Sequence, residues 1–162
     1  MKQITRPKVT LEQTARQAYP EWLHGLAPWA LAASITIRPY DPITRLPVER
    51  QHIVRSVKYY LKRLNGALFG HASMRRGHRV GSVFVVEYGT SGEHPHAHLT
   101  ITRPEHVEWA DLERHARRLL GKNSIFRREY EIRRYASANW HSYCVKSGCD
   151  HLVAEDIQDA KP

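Results

Sequence analysis

The chain has 162 residues, 41% of them hydrophobic, which suits one domain with a core of its own. Its 25 Lys and Arg against 16 Asp and Glu leave a formal charge of +9 and a pI near 9.8, a balance that favours a polyanionic partner. No apolar run reaches the roughly 20 residues of a membrane helix, the opening MKQITRPKVT lacks the apolar core of a signal peptide, and Cys144 and Cys149 are too few for a zinc knuckle or disulfide framework. These readings point to an intracellular protein that works away from membranes.

In chain order, residues 1–30 read as an N-terminal arm. A short helix over 10–18 is capped by Thr10, and Pro20, Gly25 and Pro28 then interrupt it, with Trp22 and Trp29 pinning the arm to the core. Residues 32–38 alternate as a strand that Pro39 and Pro42 end. Residues 47–65 form an amphipathic helix, with Ile53, Val57, Tyr60, Leu61 and Leu64 on one face and Gly66 as its stop. A short strand over 67–73 and a basic turn over 74–79 follow.

Residues 80–87 and 96–102 read as an antiparallel hairpin across the polar loop YGTSGEHP. Residues 105–120 are helical, with Trp109, Leu112, Ala116 and Leu119 on one face, and Gly121 ends them. An arginine-rich strand over 124–135, a short helix over 137–147 and an acidic tail over 151–162 complete the chain. The order lacks the repeated crossover helices of a parallel sheet. The expected fold is α+β, a central antiparallel sheet of about five strands flanked by helices, with the working domain at 31–150.

The densest chemistry lies in GEHPHAHLTI. A strand's period of two puts His94, His96 and His98 on one face with Thr100 and Thr102, and Ala97, Leu99 and Ile101 on the other. A lone histidine on a strand is usually just solvated; strict alternation gives imidazoles a spacing that two of them could use to hold one metal ion. Glu87 supplies a carboxylate to the same face if the hairpin pairs it opposite His96. Two imidazoles and a carboxylate suit a divalent first-row ion, and the carboxylate favours Mn²⁺ or Mg²⁺.

The second constellation is WHSYCVKSG. On a helix Tyr143 and Lys146 are i and i+3 and share a face. A phenol is a poor nucleophile at its ordinary pKa near 10 and needs a cation, a base or a polarised target. Alone, such a pair is more often a core ring beside a surface charge. It gains weight only next to the histidine strand.

Together these residues resemble the HUH endonucleases, and within them the rolling-circle replication initiators. ASITIRP (33–39) stands where their first motif, a hydrophobic strand with threonines, would lie. HAH (96–98), led by Pro95, matches the HUH strand, and YCVK (143–146) matches the helical tyrosine followed by lysine. The resemblance implies a metal held by Glu87, His96 and His98, attack by Tyr143, and support from Lys146. It also implies single-stranded DNA at a replication origin as partner, including an origin folded as a hairpin.

Many relatives of this kind continue into a helicase. Here the phosphate loop GxxxxGK[ST] is absent, so a helicase in trans or in a longer parent chain is the expectation. The implied compartment is the cytoplasm of a bacterium or the nucleus of a virus's host. Two features depart from the pattern: the arm is longer than the family minimum, and no helicase segment follows.

Arg38, Arg127, Arg128, Arg133 and Arg134 are the candidates for gripping backbone phosphates. Two other classes compete. HPHAHLT fits the strand of histidine-triad nucleotide hydrolases, with His96 as nucleophile and no role for Tyr143. A related phosphoesterase reading pairs His71-Ala-Ser with His98-Leu-Thr. A non-catalytic basic sheet would instead stack bases on Tyr88, Tyr130, Tyr135 and Trp140.

Overall fold

The computed structural model describes residues 11–88, 94–137, 139–144 and 152–155; within these, residues 11–17, 74, 143, 152, 154 and 155 are described by their backbone alone. The elements in order are α1 (Leu11–Leu26), β1 (Trp29–Ile37), α2 (Arg50–Phe69), α3 (His71–Arg76), β2 (Ser82–Tyr88), β3 (Pro95–Thr102), α4 (Trp109–Leu120), β4 (Phe126–Arg134), α5 (Asn139–Cys144) and β5 (Leu152–Glu155). The class is α+β, with one antiparallel sheet flanked by helices. Its strands lie in the order β4-β1-β3-β2-β5, so the histidine strand β3 is central.

Alternation along the strands gives the sheet two faces. Ile35 and Ile37 of β1, Ala97, Leu99 and Ile101 of β3, and Phe84 and Val86 of β2 face α2 and α4 and form the main core with Ile53, Val57, Leu64, Leu112 and Ala116. Each such side chain withdrawn from water contributes roughly 1.5–3 kcal/mol. The other face is covered by α1 and α5: Leu23 packs with Trp29 and Val83, while Trp140 and Cys144 pack on Ala32 and Val85. Leu99 sits at the centre with no exposed surface. Leu99→Ala is therefore expected to lower unfolding free energy by about 2–5 kcal/mol, read from denaturant midpoints at constant slope.

Four of the five expected strands form. The fifth, over 67–73, is helical: α2 runs on through Gly66 to Phe69, and α3 begins at His71. Ala67, Leu68 and Phe69 pack against the core from the helix, so tertiary burial rather than strand propensity decides their state. The stop is Gly70, at φ +55°, a backbone region that glycine enters without steric penalty. The sheet's remaining strand is β5, which pairs Val153 with Phe84 inside the segment expected to be a loose acidic tail.

The N-terminal arm also differs from expectation. α1 continues through Pro20 to Leu26, longer than the 10–18 segment read from the sequence. Trp29 is buried and donates its indole N–H to the Leu23 carbonyl at 2.6 Å, but Trp22 is half exposed and pins nothing to the core. No helix among the described residues is long and apolar enough to cross a membrane.

Candidate functional site

The hairpin register places the expected ligands. Glu87 pairs with His96 across β2 and β3, and His96 pairs with Thr36 on β1. His98 lies between Val85 and Ser34. Glu87, His96 and His98 therefore share one face of the three central strands, the face that α5 partly covers. His94 precedes β3 and is exposed.

His98 is 3% exposed and engages at both ring nitrogens: Nε2 is 3.1 Å from Glu87 Oε2, and Nδ1 is 2.9 Å from Ser34 Oγ. An ionised carboxylate only accepts, so in the neutral ring Nε2–H donates to Glu87 and the Ser34 hydroxyl donates to Nδ1. Ser34 thus orients the imidazole, as outer partners of histidine ligands do. The 3.1 Å separation also suits two neighbouring donors on one cation, since bonds of about 2.1 Å meeting at a right angle put donors about 3.0 Å apart.

The His96 ring lies parallel to that of His98, with centroids 6.4 Å apart and 3° between planes. Among the described residues no three His, Cys, Asp or Glu side chains converge at ligating distance. Glu87 and His98 are the converged pair, and the half-buried His96 stands one strand repeat beyond them. Binding all three donors to one ion requires the His96 ring to turn.

Beside the histidines a hollow of about 400 Å³ opens between β1, β3 and β4, lined by Ser34, Thr36, His96, His98, Glu129, Tyr130 and Glu131. The carboxylates of Glu129 and Glu131 were not singled out from the sequence. Their signal is parity: the pairing of Ser34 with Glu131 puts odd-numbered β4 residues on the histidine face. With Glu87 they add acidic charge to this side, part of it met by Arg133, which lies 3.7 Å from Glu131.

The same parity divides the arginines. Arg133 faces the histidine side, where its guanidinium lies 4.6 Å over the Trp140 ring. Arg134 faces the opposite layer, over Trp109 of α4 at 5.2 Å. Arg127 is half-buried and Arg128 exposed on β4, while Arg38 donates to the Ser124 carbonyl at 3.1 Å. The five therefore do not form a single track.

α5 bears on the site through Trp140, whose ring meets His98 edge-on at 5.9 Å. Tyr143 is a residue of this helix, with its side chain outside the described part, and Lys146 and Cys149 lie outside the described residues. The base-stacking candidates separate. Trp140 is buried, Tyr135 is held in a hydrogen-bonded chain, and the Tyr130 hydroxyl reaches the Arg117 carbonyl at 3.4 Å; Tyr88 is 38% exposed. His71 and Ser73 lie on α3, so the paired-motif phosphoesterase reading lacks its second strand.

Next to the histidine pair runs a polar chain: His24 Nδ1 is 2.8 Å from Tyr135 Oη, that oxygen is 3.0 Å from His141 Nδ1, and His141 Nε2 is 3.3 Å from Thr100 Oγ1. Burial, with His24 nearby, pushes His141 down to about 4. Burial, with Cys144 nearby, pushes Tyr135 up to about 12. Tyr135 is thereby a poor nucleophile.

His141 makes stability pH-dependent. Between about pH 6.5 and 4 an unfolded His141 takes a proton that the folded one refuses. The stabilising effect of the neutral ring is complete above that window and is lost as pH falls through it, by no more than about 3 kcal/mol. Thermal unfolding at pH 7 and pH 5 should show the loss, and His141→Asn should flatten it.

No protein-family model matches the chain, and no curated protein or solved structure shows significant similarity to it.

Proposed function

We propose that this chain is a metal-dependent, single-tyrosine DNA-nicking enzyme of the HUH type, with the nicking-domain fold of rolling-circle initiators. The observation that carries the reading is the Glu87–His98 pair, 3.1 Å apart on the central strands, with the helix of Tyr143 packed over it through Trp140. The register of Glu87 opposite His96 adds the third donor. The central position of the histidine strand and the α+β layering agree with the reading.

The residues to hold the ion are Glu87, His96 and His98, and Mn²⁺ or Mg²⁺ suits them. When bound, such an ion supplies Lewis-acid stabilisation to the phosphate oxygens. Ser34 keeps His98 oriented. The Tyr143 oxygen attacks phosphorus as the bond to the 3′-oxygen breaks. The phenol's proton leaves, the departing 3′-oxygen gains one, and the products are a 5′-phosphotyrosine and a free 3′-hydroxyl. A later 3′-hydroxyl reverses the step and rejoins the strand. Lys146 steadies the phosphate, and Arg133 is the arginine best placed to hold a strand at the histidine face.

The partners on this reading are single-stranded DNA at an origin, free or displayed on a hairpin, and a helicase. The test is incubation with a pool of single-stranded oligonucleotides and Mn²⁺, followed by denaturing gels and sequencing of ends. Discrete cuts with protein on the 5′ ends are expected, and affinity should weaken steeply with salt as phosphates shed counterions. Binding without cleavage at any metal concentration would favour the stacking module. Hydrolysis of mononucleotides with no adduct would favour the histidine-triad class.

A further inference from the structure

α1 takes no part in the chemistry above, yet it packs on α5. We propose that His24, Tyr135, His141 and Thr100 form a positioning chain that fixes the tyrosine-bearing helix over the histidine strand; this rests on the nicking reading. The chain joins four elements: His24 comes from α1, Tyr135 follows β4, His141 lies on α5, and Thr100 is on β3 two residues beyond His98. Its three links measure 2.8, 3.0 and 3.3 Å.

Ring contacts reinforce the links. His24 stacks on Tyr135 at 5.7 Å, His141 meets Tyr135 at 5.1 Å, and Trp29 meets His141 edge-on at 5.7 Å.

Proton bookkeeping closes with both imidazoles neutral. In one sense His24 Nδ1–H donates to Tyr135, whose hydroxyl donates to His141 Nδ1, and His141 Nε2–H donates to Thr100. In the other sense every donor reverses. Either way each ring carries one proton and every link is made. A charged His141 would disturb this, and its burial at 1% exposure keeps it neutral.

The need for such a chain follows from how a short helix is held. The described part of α5 spans six residues, and helices under about 12–15 residues are marginal without tertiary contacts. Trp140 and Cys144 pack on Ala32 and Val85 of the sheet, and the Trp140 ring also meets Arg133 and His98. Directional bonds at His141 fix the rotation of the helix. An in-line attack is sensitive to this, since a misplacement of about 1 Å can slow a reaction on the order of a hundredfold. On this account the long N-terminal arm is the outer anchor of the nucleophile's helix.

The test uses the full chain and two variants. Tyr135→Phe removes the central hydroxyl and keeps the ring. His24→Ala, at an exposed residue, removes the outer link together with the ring stack on Tyr135, and is expected to leave the fold intact. Under single turnover with Mn²⁺, the nicking rate constant should fall about tenfold or more in Tyr135→Phe and about threefold in His24→Ala. Oligonucleotide affinity and Mn²⁺ affinity should stay within twofold, and the adduct should remain on Tyr143.

A role in folding alone would lower the amplitude of the reaction but not its rate constant. Hydrogen exchange of the backbone amides of residues 139–144 reads the same tie without DNA and should quicken at least fivefold in both variants. Unchanged rate constants, or unchanged exchange in His24→Ala, overturn the positioning chain. Absence of any adduct in the wild type, with exchange quickened as stated, overturns the nicking reading and leaves the tie between α1 and α5 standing.

Discussion

Tyr143→Phe is expected to abolish nicking and the denaturation-resistant protein–DNA adduct, while binding of single-stranded DNA stays within about twofold. The substitution removes one oxygen and keeps the ring, so packing is little changed. If that oxygen is the nucleophile, no other described tyrosine near the site can replace it. Tyr135 is pushed up to about 12 by burial and is held between two histidines, and Tyr130 reaches the Arg117 carbonyl on the far side of β4.

The residual rate should therefore be at least 10⁴-fold below wild type, as when the attacking group of a covalent mechanism is removed. The measurement is a denaturing gel with strands labelled at either end, followed by mass spectrometry of the adduct. A full-strength adduct in the variant, or a wild-type linkage at Tyr135, His96 or another residue, would remove Tyr143 from the mechanism.

What the sequence made legible was the periodic part. Strict alternation in HPHAHLTIT set both faces of β3, and Ala97, Leu99 and Ile101 are fully buried on the core side. The pairing of Glu87 with His96, posed only as a condition on the hairpin, is the observed register. Where a residue's state depends on distant partners, local pattern misled. Residues 67–69 look like a strand start but continue a helix, because the core face of α2 extends to them.

The helix α1 passes Pro20, which the local rule takes as an interruption, and its packing on α5 has no signature in the sequence around 11–26. The fate of the other sheet face was equally hidden. Alternation shows that His98, Thr100 and Thr102 share a face, but not that α5 meets His98 and Thr100, which are left 3% and 1% exposed. Ser34, Glu129 and Glu131 entered the site only once the β1 registers were known. The five arginines were chosen by composition, and strand parity then divided Arg133 from Arg134.

The two histidines should fail in different ways. His96→Ala and His98→Ala are both expected to lower nicking by about 10³-fold, because loss of a ligand forfeits several kcal/mol of charge stabilisation at the phosphate. His96 is half-buried and makes no hydrogen bond among the described residues, so its removal should leave unfolding free energy within about 0.5 kcal/mol of wild type. His98 is buried and bonds to both Ser34 and Glu87. Its removal deprives a buried carboxylate and a hydroxyl of a partner each, and should cost about 1–3 kcal/mol. Calorimetric Mn²⁺ titration and denaturant unfolding on the same preparations separate the two effects. Equal stability losses in the two variants would contradict the oriented Ser34–His98–Glu87 arrangement, and undiminished Mn²⁺ affinity in both would remove the histidines from the metal site.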